Sequence, residues 1–366
     1  MKYKPVIVIF FLLLQPVTFV IADSIPHIAS GFQVHYGFII PHSESIRDVS
    51  HTKPYGFEIS RSNIHTSFKD WQVFNSYWMS GIEACYFNYQ NPEVIGSVIA
   101  ILAFAEPVMN YGERYFITIR FGGGLSYHNK IYDQIENPLN MFFSTKISVP
   151  LYVAARVKYR VSERTLLTLS GNYNHISNGG YKQPNKGMNF PTLALGIEHF
   201  QKIPPVLSNN YSSYPEIRKQ GISINIQALT TVRVINEEAG FPQKTCFVYG
   251  LHTRIAKPLG SIYGLNAGAE LIGDGYIRET LKRDSIDLDY KRFAITAGQD
   301  FRFGKVIFTQ YFGFYLYSPN KARHNIYQKY ELAYNISEHF YFGVYLKAHA
   351  QVAESMGFTL NYNIFL

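Results

Sequence analysis

Between Ile147 and Tyr159 every second residue is apolar: Ile147, Val149, Leu151, Val153, Ala155, Val157 and Tyr159 share one parity, while Ser148, Arg156 and Lys158 fall on the other. A side-chain period of two belongs to a β-strand with one apolar face. The same alternation recurs in Phe32-Val34-Tyr36-Phe38-Ile40, Tyr55-Phe57-Ile59, Tyr115-Ile117-Ile119-Phe121, Phe247-Tyr249-Leu251 and Tyr263-Leu265-Ala267. It closes the chain in Phe358-Leu360-Tyr362-Ile364-Leu366. Beyond the first two dozen residues the longest apolar run is Val98–Ala105, far below the roughly 20 residues of a membrane-spanning helix. The chain therefore reads as all-β.

Alternation alone fits a water-soluble sandwich as well as a membrane barrel. Strand length, the second face and the connections decide between them. The longest candidates run for about ten residues, the length of a tilted membrane strand, and their second faces carry Ser, Asn, Gln, Arg and Lys. Short breaks at Arg160–Arg164, Lys257–Gly260, Gly304–Lys305 and Ser337–His339 alternate with longer polar stretches at His128–Thr145, Asn178–Phe190, Val234–Lys244, Ile272–Tyr290 and Ser318–Asn325. Short turns at one rim and long loops at the other are the habit of outer-membrane barrels. The chain holds 29 Tyr and 28 Phe, while charged residues make up 16% against the ~25% of soluble domains. These observations predict a transmembrane antiparallel β-barrel of the outer membrane of a Gram-negative bacterium, with about 14–16 strands.

Lys2 and Lys4, the apolar stretch Val6–Leu14 and then Val20-Ile21-Ala22 read as a secretory signal peptide over residues 1–22, leaving 23–366 as the barrel. One connection breaks the turn pattern. Residues 201–219, with Pro204, Pro205, Asn209, Asn210 and Pro215, are long where a short turn is expected and read as a linker. About eight candidate strands lie on each side of it, so one large barrel and two tandem small ones both stay open. The two cysteines, Cys85 and Cys246, have no metal-ligand spacing, and a disulfide between them is left open.

Loss of residues 1–22 takes the net charge from +8 to +6. A basic exported chain suits an anionic partner. Nucleic acid is excluded by the compartment, whereas the phosphates of lipopolysaccharide and the outer-membrane lipids around it fit both place and charge.

Residues 165–200 read as one hairpin, a strand, a Gly/Asn/Pro-rich turn and a returning strand. On its first strand Leu167, Leu169, Gly171, Tyr173, His175 and Ser177 share one parity, which places a histidine and a serine on the lipid side. Two residues apart on one strand face, their Cα atoms stand about 7 Å from each other, within reach for imidazole to take the hydroxyl proton. Polar groups on a lipid face add nothing to stability. They suit an enzyme whose ester lies in the membrane.

The run H-I-S-N-G-G-Y-K-Q-P-N-K-G-M-N over residues 175–189 resembles the active-site hairpin of the lipid A 3-O-deacylases, whose signature is H-x-S-N followed by Gly and then P-N-x-G. Pro41-His42-Ser43 and Asn137-Pro138-Leu139-Asn140 are also similar to that family and its acyloxyacyl hydrolase relatives, so that the resemblance covers roughly residues 31–201. It implies an ester hydrolase acting on lipid A without a cofactor. It implies Ser177 as nucleophile, His175 as general base, and Asn178 with the backbone of Gly179 and Gly180 as oxyanion donors. Where the family carries a glutamate on the returning strand, this chain has Asn189. An amide oxygen can still accept the imidazole N–H and fix the tautomer, though it stabilises imidazolium less. Asn189 shares the parity of Leu193 and Leu195 and so the face of His175, whereas Glu198 points into the lumen.

Other polar residues read as structural. Pro184 and Asn185 are turn formers. His42 and Ser43 are adjacent and face opposite ways. His349 and Glu354 fall at a solvated loop edge. Asp133 and Glu136 sit in a loop with no spacing that demands a divalent ion. The alternative function is a catalytically inactive barrel serving as a channel or a structural outer-membrane protein, the channel because about sixteen strands in one barrel would leave an aqueous lumen.

Overall fold

The computed structural model describes residues 27–202 and 221–366 apart from 112–113, 180–181, 236, 239, 261, 321–323 and 351. The signal-peptide reading of residues 1–22, most of the 201–219 linker and Gly180 lie outside the described residues. Eight strands, β1 (His27–Gly37), β2 (Tyr55–His65), β3 (Trp78–Asn88), β4 (Ser97–Tyr111), β5 (Tyr115–His128), β6 (Ile147–Ser162), β7 (Thr165–Ser177) and β8 (Met188–Phe200), pair antiparallel in order and close on themselves. Closure comes from β8 returning to β1, with Phe32 opposite Ile197. A second set, β9 (Ser223–Ile235), β10 (Lys244–Pro258), β11 (Tyr263–Asp274), β12 (Lys291–Phe303), β13 (Val306–Tyr317), β14 (Ile326–Asn335), β15 (Phe340–His349) and β16 (Val352–Phe365), closes likewise through Leu360 opposite Ala228.

The sixteen expected strands are thus present, and they form two tandem barrels rather than one barrel over 23–366. Each half satisfies its own edge strands within itself, so neither half leaves an open edge for the other. The terminal strand β16 closes on β9 and not on the first strand of the chain. Residues 272–290, read as a loop from sequence, contain the helix α2 (Gly275–Arg283), and a shorter helix α1 (Phe68–Phe74) fills the β2–β3 connection. Both are capped from their own flanks. The Ser67 hydroxyl accepts from Asp70 N, and an Asp274 carboxylate oxygen accepts from Tyr276 N and Ile277 N.

Burial is inverted relative to a water-soluble protein. On β7 and β8 the outward Leu169, Tyr173 and Leu193 are 49%, 45% and 63% exposed, while inward Arg156, Lys158 and Glu106 are almost wholly buried. Only a lipid solvent makes that arrangement favourable. Inside the first barrel, Arg120 contacts Glu58, Glu83 and Glu106 at 3.0, 3.1 and 2.7 Å. Arg156 and Lys158 bridge Glu106 and Glu198, with Lys158 at 2.7 and 2.8 Å. Inside the second barrel Glu270 binds Lys329 and Lys347, Arg254 binds Asp300 at 2.8 Å, and Glu331 accepts from Gln227, Tyr311, Thr359 and Asn361. Eight-stranded barrels are just wide enough for side chains to fill them, and these are filled. The aqueous lumen on which the channel reading rested is absent among the described residues.

Cys85 lies inside the first barrel and Cys246 inside the second, both buried and free, so they do not form a bridge. His349 and Glu354, expected at a solvated edge, meet at 3.2 Å inside the second barrel, where Arg292 also reaches Glu354 at 2.6 Å. The barrels touch at the rim of the short turns. Phe303 and Val306, beside the β12–β13 turn, pack with Phe74 and Trp78 and with Ala105 and Phe121 on the outer wall of β4 and β5. The Lys305 N–H donates to Val73 O at 2.9 Å. Gly304 is required there: it has φ +59°, and a Cβ would stand 2.4 Å from Gln72 O.

Candidate active site

The β7–β8 register sets His175 directly opposite Asn189, and strand alternation turns both outward with Ser177. His175 Nδ1 stands 2.7 Å from Asn189 Oδ1 and Nε2 stands 3.2 Å from Ser177 Oγ. An amide oxygen can only accept, so Nδ1 carries the proton and Nε2 is left with a lone pair facing the serine hydroxyl. That is the tautomer a general base needs. Asn189 therefore lies on the face that parity assigned to it, against the imidazole of His175, and Glu198 is committed to Arg156 and Lys158 in the lumen.

The turn between the strands is strapped down by the β5–β6 loop. Lys186 N and Gly187 N donate to Met141 O and Phe142 O at 3.0 and 3.3 Å, and Ser144 Oγ donates to Lys182 O at 2.8 Å. Asn137 and Asn140 fix that loop in turn, both donating to Val94 O. Gly187, with φ +66°, returns the chain so close that a Cβ would lie 3.2 Å from both His175 Cε1 and Ser177 Cβ. A packed cap of Ile39, Tyr89, Phe142, Phe143, Ile176, Met188 and Phe190 closes the barrel beneath these loops.

Of the expected oxyanion donors, Gly179 N points at Ser177 Oγ at 3.4 Å. Asn178 is spent on the loop: its side-chain amide donates to Ser144 Oγ and Lys182 O, and its backbone N–H donates to Asn185 Oδ1. Asn185 is thus a turn former, as read, but one that holds the segment next to the serine. The Asp133 carboxylate accepts from Glu136 N and Ile135 N, which holds it below its ordinary range and makes it a loop cap. His42, set aside in sequence, arrives beside the site, with Nδ1 3.5 Å from Asn189 Nδ2 and Nε2 2.9 Å from Lys186 O. No local pattern signals that contact, because its partners lie more than 140 residues away.

A profile for the lipid A 3-O-deacylases matches residues 59–198, and one for the C-terminal domain of acyloxyacyl hydrolases matches 222–365. The chain belongs to this family. The two deacylase-family matches fall one on each barrel, and the His–Ser pair lies in the first. Among the described residues the second barrel brings no serine to a histidine. Another His–Ser contact in the first barrel, His65 to Ser80 at 2.7 Å, is stacked under Trp78 and sits within the β3 ladder, where backbone N–H groups are already paired. Glu58, Glu83 and Cys85 cluster in the lumen, but Arg120 already lies against both carboxylates.

No curated protein matches the deacylase-family chain. Among solved structures, the outer membrane enzyme PagL is 15% identical over 45% of this chain and 97% of its own, with a TM-score of 0.35. Neisserial surface protein A is 12% identical over 47% and 96%, with a TM-score of 0.32. A mutant Rh. blastica porin is 9% identical over 93% and 100%, with a TM-score of 0.21. At these scores they add no weight to the chain's own topology.

Proposed function

We propose that the first barrel is an outer-membrane esterase that hydrolyses an ester-linked acyl chain of lipid A or a related lipid, in a Gram-negative outer membrane. The observation that carries this is His175 hydrogen-bonded between Asn189 and Ser177 on a wall of lipid-facing leucines and tyrosines. Ser177 Oγ gives its proton to His175 Nε2 and attacks the ester carbonyl. The tetrahedral oxyanion is met by the Gly179 N–H. The protonated His175, held by Asn189, returns the proton to the departing sugar oxygen, and water then cleaves the acyl-serine by the same route in reverse. The bilayer orients the substrate, with acyl chains along the wall and phosphates toward the loops.

The test is mass spectrometry of lipid A incubated with the refolded full chain beside Ser177→Ala and His175→Ala. Loss of one acyl chain with the wild type only is expected. Unchanged lipid A with folded wild type would overturn the proposal. The channel reading finds no support, because both interiors are occupied by ion-paired side chains, and planar-bilayer conductance should stay at baseline.

A further inference from the structure

The two ends of an asparagine amide have nearly the same shape. Turned by half a rotation, Asn189 would present N–H to the N–H of His175, a fault that a carboxylate with two equivalent oxygens cannot develop. Something must hold the oxygen toward the imidazole. We infer that His42 is the positioning residue that does this, making the site a four-member relay of His42, Asn189, His175 and Ser177. The inference rests on the hydrolase reading above.

The backbone delivers His42 to this spot. Beyond β1, Phe38 N and Ile40 N donate to Pro191 O and Asn189 O, at 3.2 and 2.9 Å, so the chain runs antiparallel to the start of β8 and its next turn passes over Asn189. His42 Nε2 then lies 2.9 Å from Lys186 O. A carbonyl only accepts, so Nε2 carries the proton and the neutral ring keeps a lone pair on Nδ1. That lone pair faces Asn189 Nδ2 at 3.5 Å and accepts its N–H. With Nδ2 so held, Oδ1 is turned to His175 Nδ1 at 2.7 Å, and Nε2 of His175 faces Ser177 Oγ at 3.2 Å. From Ser177 O–H to His175, and from Lys186 O back through His42 to Asn189, every hydrogen bond has one donor and one acceptor.

The competing arrangement is visible in the same ring. His42 Nδ1 also lies 3.3 Å from Ile40 O, to which it can donate, while Nε2 still donates to Lys186 O, only in the doubly protonated state. His42 would then be a loop tie between two carbonyls, and Asn189 would have no acceptor for its amide N–H. The relay and the tie predict different couplings to Asn189.

The experiment measures the rate at which a fluorophosphonate probe labels Ser177 in the detergent-solubilised full chain, with Ser177→Ala as the blank. This reads serine activation without needing lipid A. In the wild-type background, His42→Ala should slow labelling about five- to tenfold, the value of one orienting hydrogen bond. In an Asn189→Glu background the same His42→Ala change should alter the rate less than about twofold, since a carboxylate needs no orienting. His42→Gln, whose side-chain oxygen can accept from Asn189, should recover part of the loss. Equal slowing by His42→Ala in both backgrounds, or none in the wild type, overturns the relay and leaves the hydrolase reading standing. Absence of labelling in folded wild type removes the dyad and the relay together.

Discussion

Gly187→Ala isolates how tightly the hairpin return is packed on the dyad. The new Cβ would stand 3.2 Å from His175 Cε1 and 3.2 Å from Ser177 Cβ, closer than ordinary carbon contacts, so the dyad must open by a few tenths of an ångström. The His175–Ser177 hydrogen bond is already 3.2 Å long and has little length to spare. Alanine also strains the backbone, because φ +66° lies in the left-handed region and costs about 1–2 kcal/mol there. Gly240→Ala in the second barrel separates the two effects: it has φ +89° and its Cβ would meet nothing within 4 Å. Both variants should lose about 1–2 kcal/mol of stability in urea unfolding. Only Gly187→Ala should lose deacylation, by about 10- to 100-fold in kcat with KM little changed, as misplaced catalytic groups do. A Gly187→Ala enzyme with wild-type kcat would refute the packing argument, and an equal loss in Gly240→Ala would make strain the cause.

Asn189→Glu replaces a neutral acceptor with a charged one facing His175, and should raise kcat about tenfold, while Asn189→Ala should lower it about tenfold; steady-state deacylation checks both. Glu106→Gln leaves Arg120, Arg156 and Lys158 short of their shared carboxylate and should cost about 3–5 kcal/mol in unfolding free energy, because buried cations lose their counter-charge. Cys85 and Cys246 sit in separate interiors, so a maleimide should modify both only after denaturation, and non-reducing gels should show no intramolecular bridge.

The strands were legible wherever the outer face is uniformly apolar, as in β6, where parity alone separates Val153 and Val157 from Arg156 and Lys158. The hairpin was legible because His175, Ser177 and Asn189 report to each other through strand parity and a single turn. What escaped depends on contacts between distant segments. Nothing local announces that β8 turns back to β1, since Ile197 would alternate identically in a barrel of sixteen strands. Parity says that Glu106 and Arg120 point inward but not that they meet. The family resemblance implied Asn178 as an oxyanion donor, yet its amide is claimed by Ser144, on a loop some thirty residues earlier. His42 was dismissed on its relation to Ser43, when the neighbour that matters is Asn189.

Both barrel interiors are filled, and the dyad stands on the outer wall. Among the described residues no tunnel leads to Ser177, so under the proposed esterase reading whatever reaches or leaves it moves sideways within the leaflet. Encounter becomes a two-dimensional search, governed by the mole fraction of substrate in the surface rather than by its bulk concentration. Under that reading, diluting substrate with inert lipid at constant total substrate should slow the reaction, and the freed fatty acid would disperse among its neighbours.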